Sequence, residues 1–176
     1  GLISLAFMTT FAGMIFYATS IAMPKLFEER LDLWGDTLSG IGGLVAVIYA
    51  IAAMTQIVVG IMVDRYPIKL LLIAVIGLQV PLLLLVASAG GYWLPLAALL
   101  LMSLVFGQIP ISDTLVARFT TEAWRSRVYA VKYLLSLGVS SVSVPLVAVV
   151  HGGGGGFATL FMALGGLAVL SALAAL

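Results

Sequence analysis

Six stretches of this chain are apolar on every side for about the length a helix needs to cross a bilayer, roughly 20 residues. They cover residues 2–24, 37–63, 70–88, 94–117, 128–150 and 157–176, and charge, glycine or proline separates them. A helix with no polar face has nothing to offer water, so each run must be surrounded by lipid or by its neighbours. Composition closes the alternative. Of 176 residues 63% are apolar and 9% charged, and the mean hydropathy is +1.26. A soluble domain carries roughly 25% charged residues and could not coat its surface from this stock. Disorder is excluded on the same grounds. With no cysteine there is no disulfide framework, thiolate zinc site or iron–sulfur cluster. A net charge of +1 provides no field for nucleic acid, which is excluded as a partner.

Membrane strands alternate at period two over about ten residues, and these runs do not alternate. The expected fold is an all-α membrane protein of six transmembrane helices. Its partner is the lipid bilayer, and its single bundle covers residues 1–176 because each connecting link is too short to fold alone. Gly1 lies inside an apolar stretch, and the last run is still apolar at Leu176, so the chain reads as a piece of a longer protein. Orientation follows from lysine and arginine. Arg65 and Lys69 fall in the second link, and Arg118, Arg125, Arg127 and Lys132 in or beside the fourth, together six of the eight basic residues. By the positive-inside rule these links face the cytoplasm, which puts the bundle in the plasma membrane with both ends cytoplasmic.

Polar side chains are costly in hydrocarbon, so their distribution sorts the spans. The first carries Ser4, Thr9, Thr10, Tyr17, Thr19 and Ser20, and the fourth Ser103, Gln108, Ser112, Asp113 and Thr114. These two are expected to line a water-filled path, with Thr10, Tyr17, Gln108 and Ser112 as solute contacts and Phe11, Met14 and Phe16 as apolar ones. The second span has a small-residue stripe at Gly42, Ala46, Ala50, Ala53 and Gly60, and the fifth has Ser136, Ser140 and Ser143. Such stripes let helices approach closely. The third offers Gln79 in its middle and the sixth Thr159 and Ser171, which reads as lipid-facing. The order polar, small-faced, lipid-like then repeats, the trace of two inverted three-helix repeats. Serine and threonine in such helices also bond back to their own backbone. Gln108 has two readings, a solute contact or a partner for the carbonyl that Pro110 frees around Phe106.

Asp113 and Lys132 lie inside spans, each five residues from Arg118 and Arg127 respectively, hence at a similar depth of roughly 7 Å. A salt bridge or water-linked pair is expected there, beside Arg118. Its readings are a static tie, a gate, or proton carriage by Asp113.

The second link reads Gly60-Ile61-Met62-Val63-Asp64-Arg65-Tyr66-Pro67-Ile68-Lys69. A glycine, three residues, Asp-Arg and a further basic residue between the second and third helices resembles the signature loop of the major facilitator superfamily of transporters. Pro67 stands where that pattern has glycine, and the basic cluster is thinner, as in the copy found in the second half of such proteins. The stretch Arg118 to Pro145, with its Arg-Ser-Arg turn and Gly138, is similar to that half as well. The resemblance implies half of a twelve-helix secondary active transporter. It would move a small organic solute by alternating access, driven by the solute or a proton gradient, beside a missing N-terminal six-helix half. The first and fourth spans would line the cavity, the second and fifth would meet the other half, and the third and sixth would lie outermost. Gly60, Asp64 and Arg65, with Lys69 following, would form a cytoplasmic gating loop. Without the resemblance, Asp64 reads as a helix cap and Arg65 and Lys69 as headgroup anchors.

Rival functions have thinner support. Glu122-Ala123 faintly matches the coupling segment of a permease subunit of an ATP-driven importer but lacks its downstream glycine and Ile-x-Leu-Pro. An intramembrane hydrolase built on Ser39 and His151 lacks a Gly-x-Ser context. His151 and the glycines after it lack the lysine and hydroxyl of a nucleotide loop, and one histidine holds no metal alone, so they read as an outer hinge. No catalytic residue, metal or cofactor is expected. The acidic first link, Lys25 to Asp36, reads as an interfacial helix or a solvated loop.

Overall fold

The computed structural model describes residues 2–31, 38–150 and 156–175. Within them lie six helices: α1 (Leu2–Arg30), α2 (Leu38–Arg65), α3 (Ile68–Ser88), α4 (Trp93–Phe119), α5 (Glu122–Val150) and α6 (Gly156–Ala175). Four are long and apolar enough to cross a bilayer, over Gly40–Arg65, Ile68–Ser88, Trp93–Phe119 and Glu122–Val150. By helix length and hydropathy this is a multi-pass membrane protein.

Local chemistry sets the turns. Helix α2 stops at Arg65 because Pro67 has no N–H to donate and disfavours helical geometry in the residue before it. The Pro67 carbonyl then accepts from the N–H groups of Leu70 and Leu71 at 3.0 and 3.2 Å and starts α3. Helix α3 ends where Ala89 turns extended, with its N–H donating to the Leu85 carbonyl at 2.8 Å. The chain then reverses through Gly91 at φ +57°, a conformation that glycine adopts without steric cost. Thr120 is extended and breaks α4 from α5, and the Thr121 carbonyl takes the N–H groups of Trp124 and Arg125 at 3.0 Å each.

Two helix bounds differ from the sequence expectation. Helix α1 continues through Pro24 to Arg30, so residues 25–30 are neither a separate interfacial helix nor a solvated loop. Leu26 and Phe27 are fully buried, and burial of such side chains is worth about 1.5–3 kcal/mol each, enough to carry the helix past one missing N–H. Arg30 fastens this extension, its Nη1 donating to the carbonyls of Ala87 at 2.9 Å, Ala89 at 3.0 Å and Val86 at 3.3 Å. These are the unpaired carbonyls at the end of α3. Helix α5 begins at Glu122 and not near Val128, which puts Arg125 and Arg127 on its first turns; the Arg127 guanidinium lies 4.9 Å from the centre of the Trp124 ring. The remainder of the acidic link, residues 32–37, and residues 151–155 with His151 fall outside the described residues.

Helix α1 packs on α5 and α6, α4 on α2 and α3, α3 on α6, and α1 on α4. Gly107 lies where α2 and α4 approach closely: a Cβ there would stand 3.0 Å from Val59 Cγ2. The core is divided along the helix axes. One apolar cluster joins the second half of α1, the first halves of α2 and α4, the end of α3, and α6, with Phe27, Leu83, Leu101 and Phe161 at its centre. The other joins the second halves of α2 and α4 to the start of α3, around Val63, Ile76 and Ile111. The α2–α3 turn and the end of α4 therefore share one end of the bundle.

Between the clusters lies a polar layer. Gln79 of α3, fully buried, donates from Nε2 to Oε1 of Gln108 on α4 at 2.9 Å. The lipid-facing reading of Gln79 is thus corrected: α3 turns this side chain inward because an amide in hydrocarbon is costly and Gln108 offers an acceptor. Of the four long apolar spans the most open are α2 and α5, while α3 still exposes Leu70, Leu78, Leu84 and Leu85. On α2, Gly42, Ala46 and Ala50 are exposed together with Val47, Met54 and Ile57. On α5 the serine stripe faces inward. Ser143 is buried, and the Ser136 hydroxyl lies 3.6 Å from the place a Cβ on Gly13 would take.

Candidate functional site

Helices α1, α4 and α5 diverge around a cleft of about 200 Å³. Small residues on α1, Ala12 and Gly13, leave the space, and Phe16 and Tyr17 close its side. Helix α4 contributes Val105, Ile109 and the polar series Gln108, Ser112 and Asp113; α5 contributes Lys132, Tyr133 and Ser136. In each helix these positions recur at intervals of three or four, so they share one face.

The charged part is built around Lys132. Its ammonium donates to the Asp113 carboxylate and to the Ser112 hydroxyl oxygen at 3.2 Å. Ser112 donates its own hydrogen to the Ile109 carbonyl at 2.9 Å, so its oxygen is free to accept. One turn earlier on α5, Tyr129 donates to the Asp113 carbonyl at 2.8 Å and ties the two helices a second time. The pair is half open: the Lys132 side chain is 15% exposed and that of Asp113 37%. This asymmetry decides which partner tolerates being left alone, because the more buried charge has less water to fall back on.

Behind the cleft, aromatic rings brace α1 against α2 and α4. Phe16 meets Phe106 with ring centres 5.3 Å apart, and Tyr49 meets Phe106 at 6.0 Å. Tyr49 donates to the Ser20 carbonyl at 3.0 Å. Thr19 is fully buried with an unpaired hydroxyl, so it belongs to the core and not to a water-filled path.

The expected solute contacts divide. Tyr17, Gln108 and Ser112 line the cleft, as does Phe16. Thr10 does not: it shares the helix face of Gly13 and Tyr17 but stands nearer the start of α1, beyond the cleft's end. Phe11 and Met14 lie on the other side of α1 from Ala12 and Phe16 and are turned away. Gln108 finds its partner across the bundle in Gln79, and the hydroxyl of Thr114 serves the Pro110 carbonyl at 2.8 Å. Arg118 is exposed at the end of α4 and takes no part in the Asp113–Lys132 pair. Gly60 has open space where a Cβ would stand, and Asp64, Arg65 and Lys69 are exposed about the α2–α3 turn. The start of α3 has no side-chain cap, so Asp64 does not perform the capping role there.

Sequence reasoning passed over Gln79, Tyr133 and Ser136 as members of this region. For Gln79 the clue was present, since a lone amide in mid-span must find a partner. Ser136 follows from Lys132 by helical spacing once the Asp113 contact is known, whereas the place of Tyr133, one residue on, does not. No family model matches the chain, and neither a curated protein nor a solved structure does.

Proposed function

We propose that the chain is one six-helix half of a secondary active transporter of the major facilitator kind. In this reading it moves a small organic solute by alternating access, and the α1–α4–α5 cleft forms part of the path. The observation that carries the reading is the cleft itself: an acid, a base, an amide and hydroxyls turned toward a shared space inside a bundle otherwise suited to lipid. Such groups are expensive in a membrane and are retained where they meet water or solute.

Inverted repeats are supported by the neighbour pattern. Exchanging α1 with α4, α2 with α5 and α3 with α6 turns each packed pair of helices into another packed pair: α1–α5 becomes α4–α2, and α1–α6 becomes α4–α3. Two three-helix units related by a pseudo-two-fold axis produce this exchange. The open small-residue face of α2 supports a second six-helix unit as partner, and the basic residues near the α2–α3 and α4–α5 turns support a cytoplasmic placement of that end. The exposed Asp64 and Arg65, with the half-buried Gly60, are placed to act as a gating loop against that unit.

The test is reconstitution of the full protein into vesicles, with labelled amino acids, sugars and organic acids offered with and without a pH gradient. Saturable, ATP-independent entry that falls when Gln108 is replaced by leucine is the expected result. Entry only with ATP and a separate ATPase would transfer the chain to the importer class, and no solute movement at all would refute transport.

A further inference from the structure

Resting on the transport reading, we infer that the cleft recognises a small zwitterion bearing one ammonium, one carboxylate and an apolar side chain. The Asp113–Lys132 pair would serve as a template that the solute opens and replaces. The cleft holds one acid and one base, so it is formally neutral. A solute with a single net charge would take one member of the pair and leave the other without a counter-charge, which is costly above all for Lys132 at 15% exposed. A neutral solute would leave the ion pair closed and gain ordinary hydrogen bonds alone. A zwitterion exchanges one ion pair for two: its carboxylate takes the Lys132 ammonium, and its ammonium takes Asp113.

The unused hydrogen-bonding capacity fits that exchange. Lys132 has three N–H donors, of which two are directed to Asp113 and Ser112. The bonded oxygen of Asp113 is Oδ1; Oδ2 has no protein donor among the described residues, on a side chain 37% exposed. Gln108 has its Oε1 engaged by Gln79, which leaves its Nε2 hydrogens for a carboxylate that has bound Lys132. Tyr129 ties α4 to α5 through the Asp113 backbone carbonyl, a bond that involves neither charged group of the pair, so the site is kept in place while the pair opens. The apolar part of the lining, Phe16 of α1 with Val105, Ile109 and Tyr133 beside the charged pair, suits an aliphatic or aromatic side chain. A volume of about 200 Å³ restricts the solute to a compact one.

The experiment compares three probes of one carbon skeleton by calorimetric titration of the full protein in detergent micelles: L-leucine, 3-methylbutan-1-amine and 4-methylpentanoate. Leucine is expected to bind at least about tenfold more tightly than either fragment, since each lacks one charge-assisted contact. Asp113→Asn should reverse the order in favour of 4-methylpentanoate, and Lys132→Gln in favour of the amine. Binding of either fragment as tight as leucine, or no leucine binding by the folded protein, overturns the inference, and the wild-type comparison alone suffices if a variant fails to fold. The measurement needs no translocation. Vesicle uptake of a sugar or organic acid without leucine binding would sink the zwitterion site and leave transport standing. Leucine binding with the expected charge pattern but no movement across vesicles would do the reverse.

Discussion

Replacing Gln108 by leucine should destabilise the protein more than replacing Gln79 by leucine, although each removes the same hydrogen bond. The bond itself is modest, about 0.6 kcal/mol for an interhelical pair in a membrane protein. The difference lies in what remains. In Gln108→Leu the amide of Gln79 stays fully buried with its last partner gone, and an orphaned buried polar group costs about 1–3 kcal/mol. In Gln79→Leu the residual amide is Gln108, also largely buried at 6% exposed but bordering the cleft, from which water can reach it. That substitution also removes Oε1 of Gln79, a buried oxygen with no partner, and so returns part of the bond it loses. The expected order is a loss of about 1–3 kcal/mol for Gln108→Leu, a smaller one for Gln79→Leu, and near zero for the double variant, which leaves no orphaned amide. Equilibrium unfolding of the purified protein in mixed micelles with increasing anionic detergent measures all three. Equal losses for the two single variants, or simple addition in the double variant, would refute the assignment of the pair as a buried layer with an open side.

Gly107→Ala should lower stability in the same assay, because its Cβ would press on Val59 at 3.0 Å. Gly60→Ala should leave folding unchanged, because nothing lies within 4 Å; a stability loss at Gly60 equal to that at Gly107 would contradict the α2–α4 contact. Arg30→Gln should expose the end of α3, seen as faster amide exchange after Leu85 and a loss of about 1–3 kcal/mol as charged hydrogen bonds to three carbonyls are broken. Unchanged exchange there would show that the guanidinium is dispensable. The chain contains no cysteine, so single cysteines at Arg65 and Arg127 can be labelled directly in intact cells. Both should be protected from an impermeant maleimide and react after permeabilisation, whereas opposite behaviour at the two positions would remove the expected topology.

Much of the fold was legible in the sequence because lipid imposes a one-dimensional rule. A backbone in hydrocarbon must satisfy its own hydrogen bonds, so an apolar run of sufficient length becomes a helix wherever it later packs. The breaks at Pro67 and Gly91 follow from local backbone chemistry in the same way. The helix end at Arg30 did not, since it depends on burial of Leu26 and Phe27 and on carbonyls that α3 presents from across the bundle.

The sequence by itself also marked Asp113 and Lys132 as charges inside spans that had to find a partner, whatever the arrangement. Only the tertiary structure decided which partners they take. Helix rotation sent Thr19 into the core and Ser136 into the cleft, brought Gln79 to Gln108, and drew Asp113, Ser112 and Lys132 together while leaving Arg118 outside. A uniformly apolar helix has little preference of its own for the direction in which it turns. That choice is made by the sum of small contacts with its neighbours, such as Gly107 against Val59, and no single segment encodes it.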